Sequence, residues 1–250
     1  MKKKILYTLL ILFAAFIAYA VYTINNLLIT NVNTQSFIGA WERHHTSENG
    51  VELKSVVIFS DGFQVISTYD SKTGQFIYSN GGTWNLNGDT MTEKVEFDTN
   101  NSDRVGTEVT FKVQINDSIM AIVDSGMKFK RIDNGTPGKL EGPWLMSGRI
   151  RGGVKQLRDT SRPRKTMKIL SGSRFQWIAY NTETKKFMGT GGGTYTTIDG
   201  EYVENIDFFS RDDSKVGLSL KFNYELLNSE WHHKGFSSKG DPIYEIWTQR

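Results

Sequence analysis

One stretch of this chain occurs twice, and that repetition limits the possible folds more than any other feature. The first copy reads Gly81-Gly82-Thr83-Trp84, then Glu93-Lys94-Val95-Glu96-Phe97, then Val105-Gly106 and Phe111. The second reads Gly192-Gly193-Thr194-Tyr195, then Glu204-Asn205-Ile206-Asp207-Phe208, then Val216-Gly217 and Phe222. The offset is constant at 111 positions (192 minus 81). Two stretches with one layout and no gap across three elements imply a duplicated domain. A chain of 250 residues then divides into two domains of about 100 residues, each large enough to bury its own core.

Composition narrows the class. A formal charge of +3 is too small for a dedicated polyanion binder. The absence of cysteine excludes a disulfide scaffold, thiol catalysis and a lipid-modified cysteine. Only 4 prolines stand beside 24 glycines, which suits hairpins with glycine-based turns.

The N-terminus reads as an export or anchor segment, residues 1–24. Lys2-Lys3-Lys4 precedes an apolar run from Ile5 to Ile24. The lysines orient the N-terminus to the cytoplasm and the body outside. The run is long enough to cross once as a helix, which favours a retained anchor. Ala18-Tyr19-Ala20 also matches a cleavage site, so a removed signal peptide is the alternative. Either reading predicts an exported protein, on the periplasmic face of the cytoplasmic membrane or secreted. Residues 25–36 read as a tether.

From Gly39-Ala40-Trp41 onward, β-branched and aromatic runs alternate with turn signals such as Asp61-Gly62 and Asn87-Gly88. About eight strands follow in residues 37–133. Residues 134–139 form a linker around Pro137, and residues 140–250 repeat the series from Gly142-Pro143-Trp144. The second copy has an enlarged first connection, Arg151 to Arg164, with room for a turn of helix. The expected class is all-β: two tandem antiparallel up-and-down barrels of about eight strands each. Closure into a barrel removes the edges that a small meander would expose.

The Gly-x-Trp at the start of each series, followed by meandering strands, resembles the lipocalin and fatty-acid-binding-protein group. The second half is similar to a lipocalin-like domain family of uncharacterised exported bacterial proteins. It does so through Gly142-Pro143-Trp144, Phe175-x-Trp177, Gly191-Gly192-Gly193-Thr194-Tyr195, Glu204-x-Ile206-x-Phe208 and Trp231-His232-x-x-Gly235. Over Phe37 to Ile132 the likeness is weaker, because the Trp-His pair is missing. The resemblance implies a calycin-type barrel and, for the wider group, small apolar ligands. It also implies that Arg131, at the end of a last strand, stacks on the indole of the Gly-x-Trp.

Strand parity nominates the site. Residues two apart share a face, so Met91, Glu93, Val95 and Phe97 line up, as do Tyr202, Glu204, Ile206 and Phe208. Each otherwise apolar face carries one carboxylate, which is costly inside a barrel unless paired. Trp41, Arg43 and His45 share a face and are expected to meet Glu93. Trp231 and His233 share a face and are expected to meet Glu204. The expected ligand site lies in the second barrel, with Glu204 and His233 on the ligand's polar end and Trp231, Tyr224 and Trp177 around it. Arg43, His45 and Glu93 form a lesser site in the first barrel, whose interior is expected to be filled. A satisfied structural carboxylate is the alternative role for either Glu.

No metal site, cofactor or nucleic-acid partner is indicated. The 4 His fall in two adjacent pairs, and neighbours in a strand face opposite ways. Gly189-x-Gly191-Gly192-Gly193 lacks the ending of a phosphate loop and reads as a bulge at a barrel corner. Arg149 to Lys168 carries eight basic residues against Asp159 alone and reads as a solvated loop, with lipid head groups or an acidic glycan as the alternative. The expected partners are a small apolar or amphipathic molecule, and a membrane through the N-terminal segment. The expected function is ligand binding in the cell envelope. Acid–base catalysis of isomerase or lyase type by Glu204 and His233, or a structural envelope module with filled barrels, are the rivals.

Overall fold

The computed structural model describes residues 34–250. The apolar run 5–24, and the tether as far as residue 33, lie outside the described residues.

The first barrel is built from β1 (Gly39–Thr46), β2 (Glu52–Ser60), β3 (Phe63–Asp70), β4 (Phe76–Asn87), β5 (Thr90–Asp98), β6 (Glu108–Ile115), β7 (Ile119–Ile122) and β8 (Met127–Asp133). Each strand pairs antiparallel with the next, and β1 closes on β8. The alternation in Val109-x-Phe111-x-Val113 becomes β6, and Asn87-Gly88 becomes the tight β4–β5 turn. A short 3-10 turn, Thr34–Ser36, leads the chain beneath the barrel. Phe37 then packs on Phe59 and Trp84 and closes that end. Trp41 Nε1 donates to the carbonyl of Phe37 at 2.9 Å. Arg131 lies 3.9 Å from the Trp41 ring centroid and donates to the carbonyls of Ser36 and Ile38, so the expected cation–π stack is present.

The second barrel uses β9 (Gly142–Arg151), β11 (Arg164–Leu170), β12 (Arg174–Asn181), β13 (Lys186–Ile198), β14 (Glu201–Phe209), β15 (Ser219–Leu227), β16 (Glu230–Phe236) and β17 (Pro242–Gln249), closed by β9 on β17. The enlarged connection forms no helical turn. It forms β10 (Val154–Leu157), which hairpins back on the far half of β9. A helix there would bury nothing: all four residues of β10 are exposed, with Val154 at 63% and Leu157 at 77%.

The repeated Gly-Gly pairs do what a bulge requires. The register slips between Gly81 and Gly82, and again between Gly192 and Gly193. A Cβ on Gly82 would sit 1.9 Å from the carbonyl oxygen of Lys94, and one on Gly193 would sit 1.9 Å from that of Asn205. The bulge has a second effect that corrects the parity reading. Phe97 and Phe208 do not continue the inward row of Met91-Glu93 and Tyr202-Glu204-Ile206. The extra residue turns them outward, and Asp98 and Phe209 point inward in their place.

These outward phenylalanines join the barrels. Tyr69 stacks on Phe208 at 5.0 Å, and Tyr180 packs on Phe97 at 5.2 Å. Val56, Ile58 and Val65 of the first barrel meet Met167, Ile169 and Ile178 of the second in the same cluster. Tyr69 donates to Asp207, and Tyr180 donates to Glu96 at 2.5 Å. Each of these pairs maps onto the other under the repeat offset, so the interface is self-complementary, as in a two-fold dimer. Its charged rims differ. Arg174 bonds Asp207 at 2.7 Å, whereas Glu96 is gripped bidentately by Arg250. The linker is fixed by Asp133, which accepts from the amides of Gly135, Gly172 and Ser173 and from two serine hydroxyls.

Candidate functional site

Parity placed Arg43, His45 and Glu93 inside the first barrel, and all three line one cavity there. Its volume is about 590 Å³. That is within the range of small-molecule sites. The wall is mainly Val57, Phe59, Ile66, Met91, Phe111, Val113, Met120 and Phe129, contributed by β2, β3 and β5 to β8. Charged or ionisable groups enter from Arg43 and His45 on β1, Glu93 on β5, Arg104 in the loop after β5, and Asp124 at the β7–β8 turn, while Ser55, Gln64, Thr68, Tyr78, Asn80 and Ser125 add neutral polar atoms. The first barrel is therefore hollow, contrary to the filled interior expected of it.

Glu93 has no hydrogen-bond or ion-pair partner among the described residues. Burial pushes its carboxyl up to about 7, against a partial opposing pull from Arg104. That arginine is itself committed, with Nη1 at 2.6 Å from the buried carboxylate of Asp98. His45 is held below its ordinary value by burial first and by neighbouring Arg43 second, so the ring is neutral at physiological pH. Its Nδ1 is buried without a partner.

The second barrel is different. Glu204 and His233 do not line a comparable cavity. Glu204 is 4% exposed, and its Oε1 accepts from Lys168 Nζ at 2.6 Å and from Tyr202 Oη at 2.9 Å. The Lys168 ammonium lies over four rings: Trp231 at 5.0 Å, Tyr202 at 5.1 Å, Trp247 at 5.3 Å and Phe222 at 5.8 Å. His233 Nδ1 contacts Glu245 Oε2 at 3.2 Å, and its ring packs on Phe222, Tyr202 and Trp231. Burial, then Lys168, depresses its pKa. Trp231 is 0% exposed, and Trp177 and Tyr224 pack against the same inner cluster. The residues assigned to a ligand in the second barrel are thus its own core. The expected His233–Glu204 pair is replaced by two pairs, Lys168–Glu204 and His233–Glu245.

Aligning the two interiors through their strand registers explains why one is hollow. Where the first barrel has Val57, Met91, Met120, Ile122, Met127 and Phe129, the second has Lys168, Tyr202, Trp231, His233, Glu245 and Trp247. The carboxylate, Glu93 or Glu204, the phenylalanine, Phe111 or Phe222, and the basal tryptophan, Trp41 or Trp144, stay the same. Larger rings and a lysine fill the second interior, and shorter aliphatic chains leave the first open. Beyond this core, a recess of about 380 Å³ at the second barrel's mouth is lined by Met146, Arg149, Arg158, Thr166 and Glu245. Arg158 donates to Thr166 there at 3.2 Å.

Lys168 is the residue that sequence reasoning missed. It closes the basic stretch Arg149 to Lys168, yet it sits in Met167-Lys168-Ile169-Leu170, where one charge interrupts the apolar half of β11. That pattern, with Val57 at the matching position, was the available signal. Arg104 and Asp98 were missed because the bulge decides that Asp98 faces inward.

No protein-family model matches the chain. No curated protein matches its sequence.

Proposed function

We propose that the protein is an exported lipocalin-like binding protein that holds a small apolar or amphipathic molecule in its first barrel. The observation that carries this reading is the cavity of about 590 Å³ with an apolar wall and a few convergent polar groups. Eight strands enclose room for one small ligand when side chains leave it free. The second barrel serves as a rigid companion: its lysine, aromatic rings and two acid pairs occupy the corresponding space. The apolar run 5–24 supports an envelope location, retained or cleaved.

The test uses the second barrel as a template. Met120→Trp and Phe129→Trp place in the first barrel the residues found at matching positions in the second. A fluorescent apolar probe binds the wild type at one equivalent, and the doubly substituted protein loses that binding while keeping its β-sheet signature. Probe binding that survives the substitution refutes the reading. Native mass spectrometry of protein purified from its own envelope then identifies what co-purifies.

A further inference from the structure

We infer that the first-barrel ligand carries a cationic amine, bound by Glu93 in the place that Lys168 takes opposite Glu204. This inference rests on the ligand-binding reading above and deepens it. The chain carries two copies of one site. Both copies keep a glutamate on the fifth strand of the barrel, facing inward. In the second copy the Lys168 ammonium reaches it across the interior from β11 at 2.6 Å, and Tyr202 Oη donates to the same carboxylate oxygen. Four aromatic rings surround that ammonium at 5.0 to 5.8 Å. A carboxylate with an aromatic cage is a recognition site for an amine, and here the chain supplies the amine from its own Lys168.

In the first copy the lysine position is Val57 and the glutamate remains. The missing ammonium and the smaller neighbours leave the cavity. Glu93 is half-buried and left without a partner on a mainly apolar wall, where its charged form is disfavoured until an incoming group completes it. A carboxylate accepts and does not donate, so the completing group is a donor, and a cation satisfies it best. The other charges facing the cavity do not take that role. Arg104 is held by Asp98. Arg43 stands beside His45 on β1, and the charge that acts on Glu93 comes from Arg104 alone. Asp124 lies at the rim turn and adds to the attraction for a cation. The ligand class is an aliphatic or aromatic primary amine, with an apolar body along Phe59, Met120 and Phe129.

The test uses the full chain and three matched probes at pH near 7.5: a medium-chain primary amine, the alcohol and the carboxylate of equal length, followed by calorimetry. The amine binds about tenfold tighter than the alcohol, and the carboxylate weakest. Glu93→Gln lowers amine affinity by about tenfold and leaves alcohol affinity within about twofold. Val57→Lys, which rebuilds the internal pair, abolishes amine binding and raises the melting temperature. If alcohol or carboxylate binds as well as the amine, the amine inference is overturned and the binding function stands. If none of the three binds, both are overturned. If Val57→Lys does not fold, Glu93→Gln alone decides.

Discussion

At the scale of single residues, one glutamate has two fates set by its neighbour. Glu204 is a carboxyl group inside a core, and the cost of burying it is offset by Lys168 and Tyr202. Lys168→Met is expected to lower stability by about 3–5 kcal/mol, because it leaves a buried carboxylate unpaired. Lys168→Met combined with Glu204→Gln recovers most of that loss, as chemical denaturation of the three proteins will show. Glu93 makes the opposite prediction. Its folded pKa of about 7 lies above its ordinary value of 4.5, so the folded state holds the proton more tightly. For a raised acid, the contribution to stability is fully present below the unfolded value and is lost as pH rises through the folded one. The wild type therefore loses stability between pH about 4.5 and 7 through this group, by at most about 3 kcal/mol. Glu93→Gln removes that part of the slope. Denaturation midpoints of the two proteins coincide near the acid end and diverge above neutrality, with the variant more stable there. Arg43, His45, Arg104 and Asp124 also face the cavity. The difference between the two proteins isolates Glu93 from them. The sequence disclosed both glutamates and the inward direction of Arg43 and His45, because alternation in a regular strand is a local property. It did not disclose which glutamate is paired, since that depends on a residue three strands away in the wall.

At the scale of elements, the bulge organises the fold. Sequence alternation described strands well wherever the ladder is unbroken: β6 and the turn at Asn87-Gly88 were legible because their patterns are local. Phe97 and Phe208 were misplaced because a bulge adds one residue and reverses the parity beyond it. The glycines signalled a bulge but not its phase. The requirement at Gly193 is steric rather than conformational, since the nearest atom to an added Cβ is the backbone oxygen of Asn205 at 1.9 Å. Backbone cannot rotate away as a side chain can. Gly193→Ala and Gly82→Ala are each expected to cost about 3 kcal/mol or more. Thr194→Ala, one residue along, changes stability by less than about 0.5 kcal/mol. Guanidinium titrations of the three variants test this, and a mild effect at the glycines would show that the register slip is not needed. The consequence extends past the strand, because the same slip delivers Phe97 and Phe208 to the opposite barrel.

At the scale of the whole molecule, the two barrels form one compact unit with a shared core. Duplication alone suggests two domains with independent cores, and each interior is indeed separate. Yet Val56, Ile58, Ile169 and Ile178 lie on outer barrel walls and are buried in a core that neither barrel has alone. Phe97 and Phe208 each belong to one barrel and pack on a tyrosine of the other. A single barrel would expose these faces to water, at roughly 1.5–3 kcal/mol for each large apolar side chain. The wild type should therefore unfold in one calorimetric transition with equal calorimetric and van't Hoff enthalpies. Lys168→Met, although confined to the second barrel, should lower protection of slowly exchanging amides in both barrels. Phe97→Ala together with Phe208→Ala removes the interlock without touching either interior. In that background the transition divides in two, and Lys168→Met lowers protection only in β9 and β11 to β17. If Lys168→Met already acts on one barrel alone in the wild type, the shared core does not couple the halves. In the coupled molecule, the filled second barrel also stabilises the hollow first one, so the chain can keep a cavity of this size in a domain of about 100 residues without losing its fold.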